Sequence, residues 1–348
     1  MDKKTDILSL NLNELTREIV GLSERGFRAK QVFEWLHSKK ATDFSEMSNI
    51  CDQLKDKLGK KFCIKSLNMQ KRLVSSTDNT VKYLYGLDDG NKIETVFMPR
   101  KGKNSLCVSS QVGCRMGCKF CASGASGLER DLAPSEMLAQ LYETARAGDQ
   151  IDSVVIMGVG EPLDNFANVV KFLEILQSGY GMSLRRVSLS TCGLADKIDE
   201  LAGLRLGLTL SVSLHASNDA DRSAIMPINK RFNLKTLLDS CAGYFEKTGR
   251  RISYEYALID GVNDKGDDAA RLARLMKGLP DGSYHVNLIP ANAVESGSFN
   301  KSARIRPFAG RLAKENINVT VRRTLGADIN AACGQLRGGR RGCGQGEK

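Results

Sequence analysis

The chain begins with apolar residues at helical intervals. Leu8, Leu10, Leu12 and Leu15 lead into Glu18-Ile19-Val20, and Phe27-Arg28-Ala29-Lys30-Gln31-Val32-Phe33-Glu34-Trp35-Leu36 repeats the pattern. Gly21 and Gly26 interrupt it, so residues 1–62 read as two or three short helices forming a small N-terminal domain. In residues 63–99 the period changes to alternation, around Val81-Lys82-Tyr83-Leu84-Tyr85 and Ile93-Glu94-Thr95-Val96-Phe97. Asp88-Asp89-Gly90-Asn91 lies between as a turn, which predicts an intervening β-hairpin. From about 105 to 327, short apolar runs alternate with helical patterns. Strands are expected at 105–109, 153–157, 187–190, 209–213, 252–257, 285–289 and 319–322. Helices are expected near 134–147, 166–178, 195–203, 234–247, 264–278 and 301–315. This alternation implies an α/β fold with a parallel sheet. Some six βα units make a partial (β/α)6 barrel over residues 100–336, with its chemistry at the C-terminal ends of the strands.

Composition narrows the class. The chain has 348 residues, 41% hydrophobic and 26% charged, as in an ordinary globular protein. No apolar run approaches the roughly 18 residues a membrane span needs, and Met1-Asp2-Lys3-Lys4-Thr5-Asp6 lacks a signal-peptide core. A cytoplasmic protein with no membrane partner is expected. Ten cysteines in such a chain point to metal or redox chemistry rather than a disulfide framework, with Cys51, Cys63 and Cys241 read as plain buried thiols. The net charge of +11, concentrated at residues 55–61, 100–103, Arg185-Arg186, Arg250-Arg251, Arg322-Arg323 and 337–341, suggests a polyanionic partner. The N-terminal helices are read as an RNA-contacting module, a plain packing appendage being the other reading. Nothing marks an interface, so a monomer is expected.

The densest chemical signal is Cys114-Arg-Met-Gly-Cys118-Lys-Phe-Cys121, a C-x3-C-x2-C triplet with no fourth cysteine nearby. A closed structural metal site takes four protein ligands, and a [4Fe-4S] cluster normally takes four thiolates. Three would leave one iron open to a cofactor, the arrangement found in radical S-adenosylmethionine (SAM) enzymes; a zinc site completed by a distant ligand is the alternative. Gly113, Gly117, Gly124 and Gly127 surround the thiols and let backbone N–H groups come close to inorganic sulfide.

Further motifs fall at predicted strand ends. Glu161 in Gly158-Val159-Gly160-Glu161-Pro162 suits the ammonium of SAM; a surface turn is the plainer reading. Ser190 and Ser213 offer hydroxyls for its carboxylate and ribose, His215 ends the strand after Ser213, and Asn292 follows the next-to-last strand within reach of the ribose. Cys333 stands in a small-residue loop after the last strand, where a thiol can be a reachable nucleophile or simply a buried small residue.

Together these residues resemble the RlmN/Cfr family of radical SAM RNA methyltransferases, closest to its RlmN type. The likeness runs from about residue 10 to 336. It is carried by Leu106-Cys107-Val108-Ser109-Ser110-Gln111-Val112-Gly113-Cys114, the cysteine triplet, Gly160-Glu161-Pro162-Leu163, Met226-Pro227-Ile228-Asn229-Lys230, Gly261-Val262-Asn263-Asp264 and the run from Asp328 through Leu336. The resemblance implies a [4Fe-4S] cluster on Cys114, Cys118 and Cys121 and two SAM molecules per turnover. It implies that Cys333 is methylated first and that a 5′-deoxyadenosyl radical then takes hydrogen from the S-methyl group. The methylene radical adds to adenine, and Cys107 resolves the adduct through a transient disulfide with Cys333. Glu94 matches a proposed proton acceptor, and SAM contacts carry over onto Gly160, Glu161, Ser190, Ser213, Leu214, His215 and Asn292. The implied reaction is methylation of adenine carbon 2 in 23S rRNA at the peptidyl transferase centre, with tRNA as a second candidate substrate and a donor such as flavodoxin supplying electrons.

The chain departs from the family pattern at Cys192, Ala291 and Val159, none of which removes a catalytic group. The basic tail, 337–348 with Cys343, lies beyond the resemblance; it reads as a phosphate-binding arm with an incidental cysteine. Two other functions fit the residues. A Cfr-like enzyme would methylate carbon 8 with the same thiols, and a non-catalytic metal-cluster protein would only bind RNA.

Overall fold

The computed structural model describes residues 4–125, 127–292 and 299–337. The basic tail from residue 338 onward, with Cys343, lies outside them. A ten-stranded sheet organises the molecule: β1 Asn68–Val74, β2 Val81–Gly86, β3 Lys92–Met98, β4 Ser105–Val108, β5 Ser153–Ile156, β6 Val187–Thr191, β7 Thr209–Ser213, β8 Ile252–Leu258, β9 Tyr284–Pro290 and β10 Val319–Val321. Each strand pairs with its neighbour in chain order. β1 to β4 are antiparallel, with Val96 opposite Cys107. β4 to β10 are parallel, in six consecutive crossovers. The two ends of this sheet do not meet, which is the partial (β/α)6 barrel expected from the alternation.

The hairpin continues the barrel sheet through β3 and β4, and a third strand, β1, extends it further. β1 escaped the periodic reading because nearly all its side chains are exposed, so no apolar alternation marks it.

The N-terminal region contains α1 Leu12–Gly21, α2 Phe27–His37 and α3 Asp52–Lys61. Asn11 caps α1 by accepting from Glu14 N–H, and Glu14 returns the bond to Asn11 N–H. Buried Leu15, Ile19, Val32 and Leu36 join one hydrophobic core with the barrel. The barrel helices are α4 Pro134–Arg146, α5 Phe166–Ser178, α6 Ala195–Leu204, α7 Asp219–Ile225, α8 Leu234–Thr248, α9 Gly266–Lys277 and α10 Ile305–Lys314. The N-terminal helices dock on α4 and α5. His37 Nδ1 lies 2.7 Å from the Tyr142 hydroxyl, Ser38 donates to the Gly179 carbonyl at 2.8 Å, and Lys171 pairs with Glu14 at 2.7 Å. Among the described residues, no helix is long and apolar enough to cross a membrane.

Of the three cysteines expected to be buried, only Cys241 is; Cys63 is half-buried and Cys51 is exposed. Cys51 immediately precedes α3, a helix whose buried face is only Leu54 and Leu58, so the residue before it has nothing to pack under.

Candidate active site

After β4 the chain forms a short ribbon, Gln111–Gly113 against Leu128–Asp131, which pinches the neck of the cysteine loop. Cys114 N–H donates to the Gly127 carbonyl at 2.9 Å. Gly113 sits at φ 75°, and a Cβ there would collide with that same carbonyl oxygen, so only glycine closes the neck. Cys114, Cys118 and Cys121 then line one side of a cavity of about 170 Å³.

The opposite wall comes from strand ends. The turn after β5 is stitched to the start of the cysteine segment: Gly158 N–H donates to the Val108 carbonyl, Val159 N–H to Ser109 Oγ and Glu161 N–H to Gln111 Oε1, at 2.8–3.0 Å. Gly160, at φ 109°, has no room for a Cβ against Gln111. Glu161 lies in this wall, 4% exposed. Its carboxylate accepts Cys192 N–H at 2.7 Å and Leu163 N–H at 3.1 Å, while burial pushes its pKa up. Ser190, Ser213, His215 and Asn292 also line the cavity. Leu214 does not; its side chain is in the core.

His215 is held in an unusual conformation, φ 54°. Asn263 secures it by donating to the His215 and Ala257 carbonyls at 2.7 and 2.8 Å. Ala257 N–H donates to His215 Nδ1 at 2.8 Å, and burial pushes the imidazole down to about 3. His215 is thus a neutral ring with its proton on Nε2. Its edge-on contact with Phe120, 4.7 Å between centroids, ties it to the cysteine loop.

Two arginines that no spacing signal distinguishes carry much of the construction. Arg222, fully buried, donates to the carbonyls of Cys192 at 2.7 Å and Leu214 at 3.1 Å and to Asn229 Oδ1 at 2.9 Å. It thereby ties the ends of β6 and β7 to the Met226-Pro227-Ile228-Asn229-Lys230 turn. Arg322, read from the sequence as part of a basic surface cluster, instead lines the cavity. It lies 3.9 Å from Glu255 and within reach of Met157 Sδ at 3.8 Å. The charge of Cys333 raises its pKa first, with Glu255 and Cys107 adding to the effect.

Cys333 is exposed and lines the same cavity, near Gly334. Cys107 is buried on β4 behind it, packed with Val96, Val159, Ala331 and Leu336. Burial, reinforced by the charge of Cys333, pushes the Cys107 thiol up to about 12. Asn292 donates its amide to the Cys333 carbonyl at 3.0 Å. Glu94 is not in the cavity wall; it pairs with Lys82 at 3.1 Å and accepts Arg337 N–H at 2.8 Å.

The triplet brings three thiols to the wall of one cavity, the donor set that holds three irons of a [4Fe-4S] cluster and leaves the fourth open. Burial pushes all three thiols up, Cys114 to about 12.

A three-thiol loop at the C-terminal end of a partial barrel, facing a carboxylate and hydroxyls on neighbouring strand ends, defines a radical SAM enzyme. Residues 108–273 match the radical SAM superfamily, and residues 5–64 match the ribosomal RNA large subunit methyltransferase N-terminal domain. A probable dual-specificity RNA methyltransferase RlmN from Lachnoclostridium phytofermentans is 47% identical over 340 residues, covering 96% of this chain and 95% of that protein. One of the same description from Clostridium perfringens is 48% identical over 337 residues, covering 95% and 96%. The crystal structure of a radical SAM methyltransferase from Sphaerobacter thermophilus superposes with a TM-score of 0.90 at 38% identity, covering 96% of this chain and 99% of that one. The chain belongs to the RlmN family of radical SAM RNA methyltransferases, and its cofactors are a [4Fe-4S] cluster and SAM.

Proposed function

We propose that this protein methylates carbon 2 of an adenosine in 23S rRNA, at the peptidyl transferase centre, and also acts on tRNA. The observation that carries the reading is the position of the Cys333 loop: Cys333 lines the cavity of the cysteine triplet together with Arg322, while Ala331 and Leu336 of the same loop pack with Cys107. The similarity to dual-specificity RNA methyltransferases RlmN supports RNA of more than one kind as substrate, and the match of the N-terminal residues to a ribosomal RNA large subunit methyltransferase domain supports ribosomal RNA among them. Ribosomal RNA as substrate puts the enzyme in the cytoplasm.

The adenine amidine carbon is electrophilic, so direct displacement of a methyl group from SAM is closed to it, and a covalent protein intermediate provides another route. When bound, the cluster supplies one electron to SAM, which yields the 5′-deoxyadenosyl radical. Glu161 is placed to accept hydrogen bonds from the SAM ammonium, and Ser190, Ser213 and Asn292 offer polar groups to the rest of the molecule. Cys333 carries the methyl group as a thioether. The S-methyl group gives one hydrogen atom to the 5′-deoxyadenosyl radical, and the carbon radical left on that side chain bonds to carbon 2 of the base. The adduct then gives up one electron, which the cluster, when bound, would take back, and the proton of carbon 2. Attack of the Cys107 thiolate on the Cys333 sulfur forms an S–S bond and breaks the C–S bond, and the released carbon takes up a proton to become the methyl group on adenine. Arg322 supplies a fixed positive charge next to both sulfurs. Glu94, outside the cavity wall, reaches the substrate proton only if the Cys333 loop shifts.

The test is nucleoside mass spectrometry of a large-subunit rRNA fragment incubated anaerobically with cluster-loaded protein, SAM and a reductant. 2-Methyladenosine is expected. 8-Methyladenosine would move the enzyme to the alternative regiochemistry, and no methyladenosine despite SAM cleavage would overturn the substrate assignment. Cys333→Ala should abolish product, and Cys107→Ala should accumulate a covalent protein–RNA adduct.

A further inference from the structure

The loop that carries Cys333 leaves the parallel half of the sheet and crosses back to the antiparallel strands. Asp78 Oδ2 accepts Gly326 N–H at 2.8 Å. Asp328 Oδ2 accepts Ser76 N–H at 2.9 Å and the Ser76 hydroxyl at 3.2 Å. Lys82 on β2 donates to the Asn330 carbonyl at 3.1 Å. The same ammonium pairs with Glu94 on β3 at 3.1 Å, and Glu94 accepts Arg337 N–H at 2.8 Å. Asn330 precedes Cys333 and Arg337 follows it, so the Lys82–Glu94 pair closes a ring around the nucleophile's loop.

The register explains how one ion pair spans both ends. Lys82 lies opposite Val96 and Glu94 opposite Leu84, so both side chains project from one face of the β2–β3 pair. Their side chains are only 11% and 13% exposed, which shields the pair from solvent screening. On the far side, Ala122 N–H donates to the Gly334 carbonyl and Ser123 Oγ to the Leu336 carbonyl, each at 2.8 Å, fixing the loop to the cysteine segment. Gly326 and Asn330 take left-handed φ values of 62° and 51°, tight bends that such residues tolerate.

We infer that β1–β3 act as a clamp that sets the reach of Cys333 between the cavity and Cys107, with Lys82, Asp78 and Asp328 as positioning residues. This rests on the role proposed above for Cys333. That role needs the sulfur at two stations, one facing the cavity and one facing Cys107. Orientation of reacting groups contributes large factors to rate, and a small misplacement of one partner loses much of them. None of the three residues touches the cavity. They act through the loop alone.

The test uses thiol chemistry on full-length, cluster-loaded protein under anaerobic conditions. The Cys107–Cys333 disulfide is equilibrated against a glutathione redox buffer, two thiols being oxidised as one glutathione disulfide is reduced, and quantified by peptide mass spectrometry. In parallel, the alkylation rate of Cys333 by iodoacetamide is measured, with Cys107 as the buried control. Lys82→Met is expected to lower the effective concentration of the thiol pair on the order of tenfold and to speed Cys333 alkylation several-fold. Lys82→Arg should restore both. The Asp78→Ala/Asp328→Ala double variant, altered at the outer edge of the loop, should behave like Lys82→Met and decides the matter if Lys82→Met does not fold. Cluster absorbance and melting temperature check folding. Unchanged disulfide equilibrium and alkylation in the folded variants would overturn the clamp. Neither readout involves RNA, so a shifted equilibrium without 2-methyladenosine would sink the substrate assignment and leave the clamp standing.

Discussion

His37 is buried between α2 and α4, with Nδ1 against the Tyr142 hydroxyl and Nε2 lacking a partner. A proton there would be a buried charge with nothing to balance it, and burial lowers its pKa from 6.5 to about 3. The folded state therefore resists a proton that the unfolded chain takes up. Stability from this residue is complete above pH 6.5 and declines as the pH falls toward 3, by about 1.4 kcal/mol per unit. The melting temperature of the wild type should fall more steeply than that of His37→Asn between pH 6.5 and 5; parallel profiles would contradict this. Glu161 permits a second prediction. Glu161→Gln removes the charge and keeps one acceptor oxygen, enough for Cys192 N–H or Leu163 N–H but not for both. SAM should bind on the order of tenfold more weakly, as measured by calorimetry, while cluster absorbance stays the same.

At the scale of elements, Gln140 joins three of them. From α4 its side-chain oxygen accepts Thr95 Oγ1 at 2.7 Å on β3 and Ser109 N–H at 2.8 Å after β4, and its nitrogen donates to the Ser109 carbonyl at 2.9 Å. Gln140→Leu orphans buried groups on both strands and should cost about 3 kcal/mol in denaturant unfolding. Such a residue shows what was legible in the sequence and what was not. The parallel strands announced themselves as apolar runs because helices cover them. The cysteine triplet was legible because its ligands are local. β1 and α7 were not, the first because it is exposed and the second because it is a short polar turn around Arg222. Arg222, Glu255 and Gln140 gave no signal, and Arg322 showed only as part of a basic cluster, because none of them sits in a motif whose spacing marks its role. The motif Gly261-Val262-Asn263-Asp264 was visible, but its work, fixing His215, appears only in three dimensions.

Across the whole molecule, the N-terminal helices share a hydrophobic core with the barrel, and Gly179 lies in that seam, where a Cβ on it would lie 2.7 Å from the His37 Cβ. Gly179→Val should loosen this seam, so that limited proteolysis releases residues near 1–62 faster while the cluster spectrum is retained. The strand order has a different consequence. Because every strand pairs with the one made just before it, the sheet can be assembled in the order of synthesis, each new unit docking on a finished edge. The segment after β10 breaks that rule, returning to Ser76, Asp78, Lys82 and Glu94, made long before. The ribosome thus delivers the reactive sulfur last, onto a surface already complete, so that a nascent chain arrested before β10 has the cavity's cysteine triplet but no nucleophile to spend.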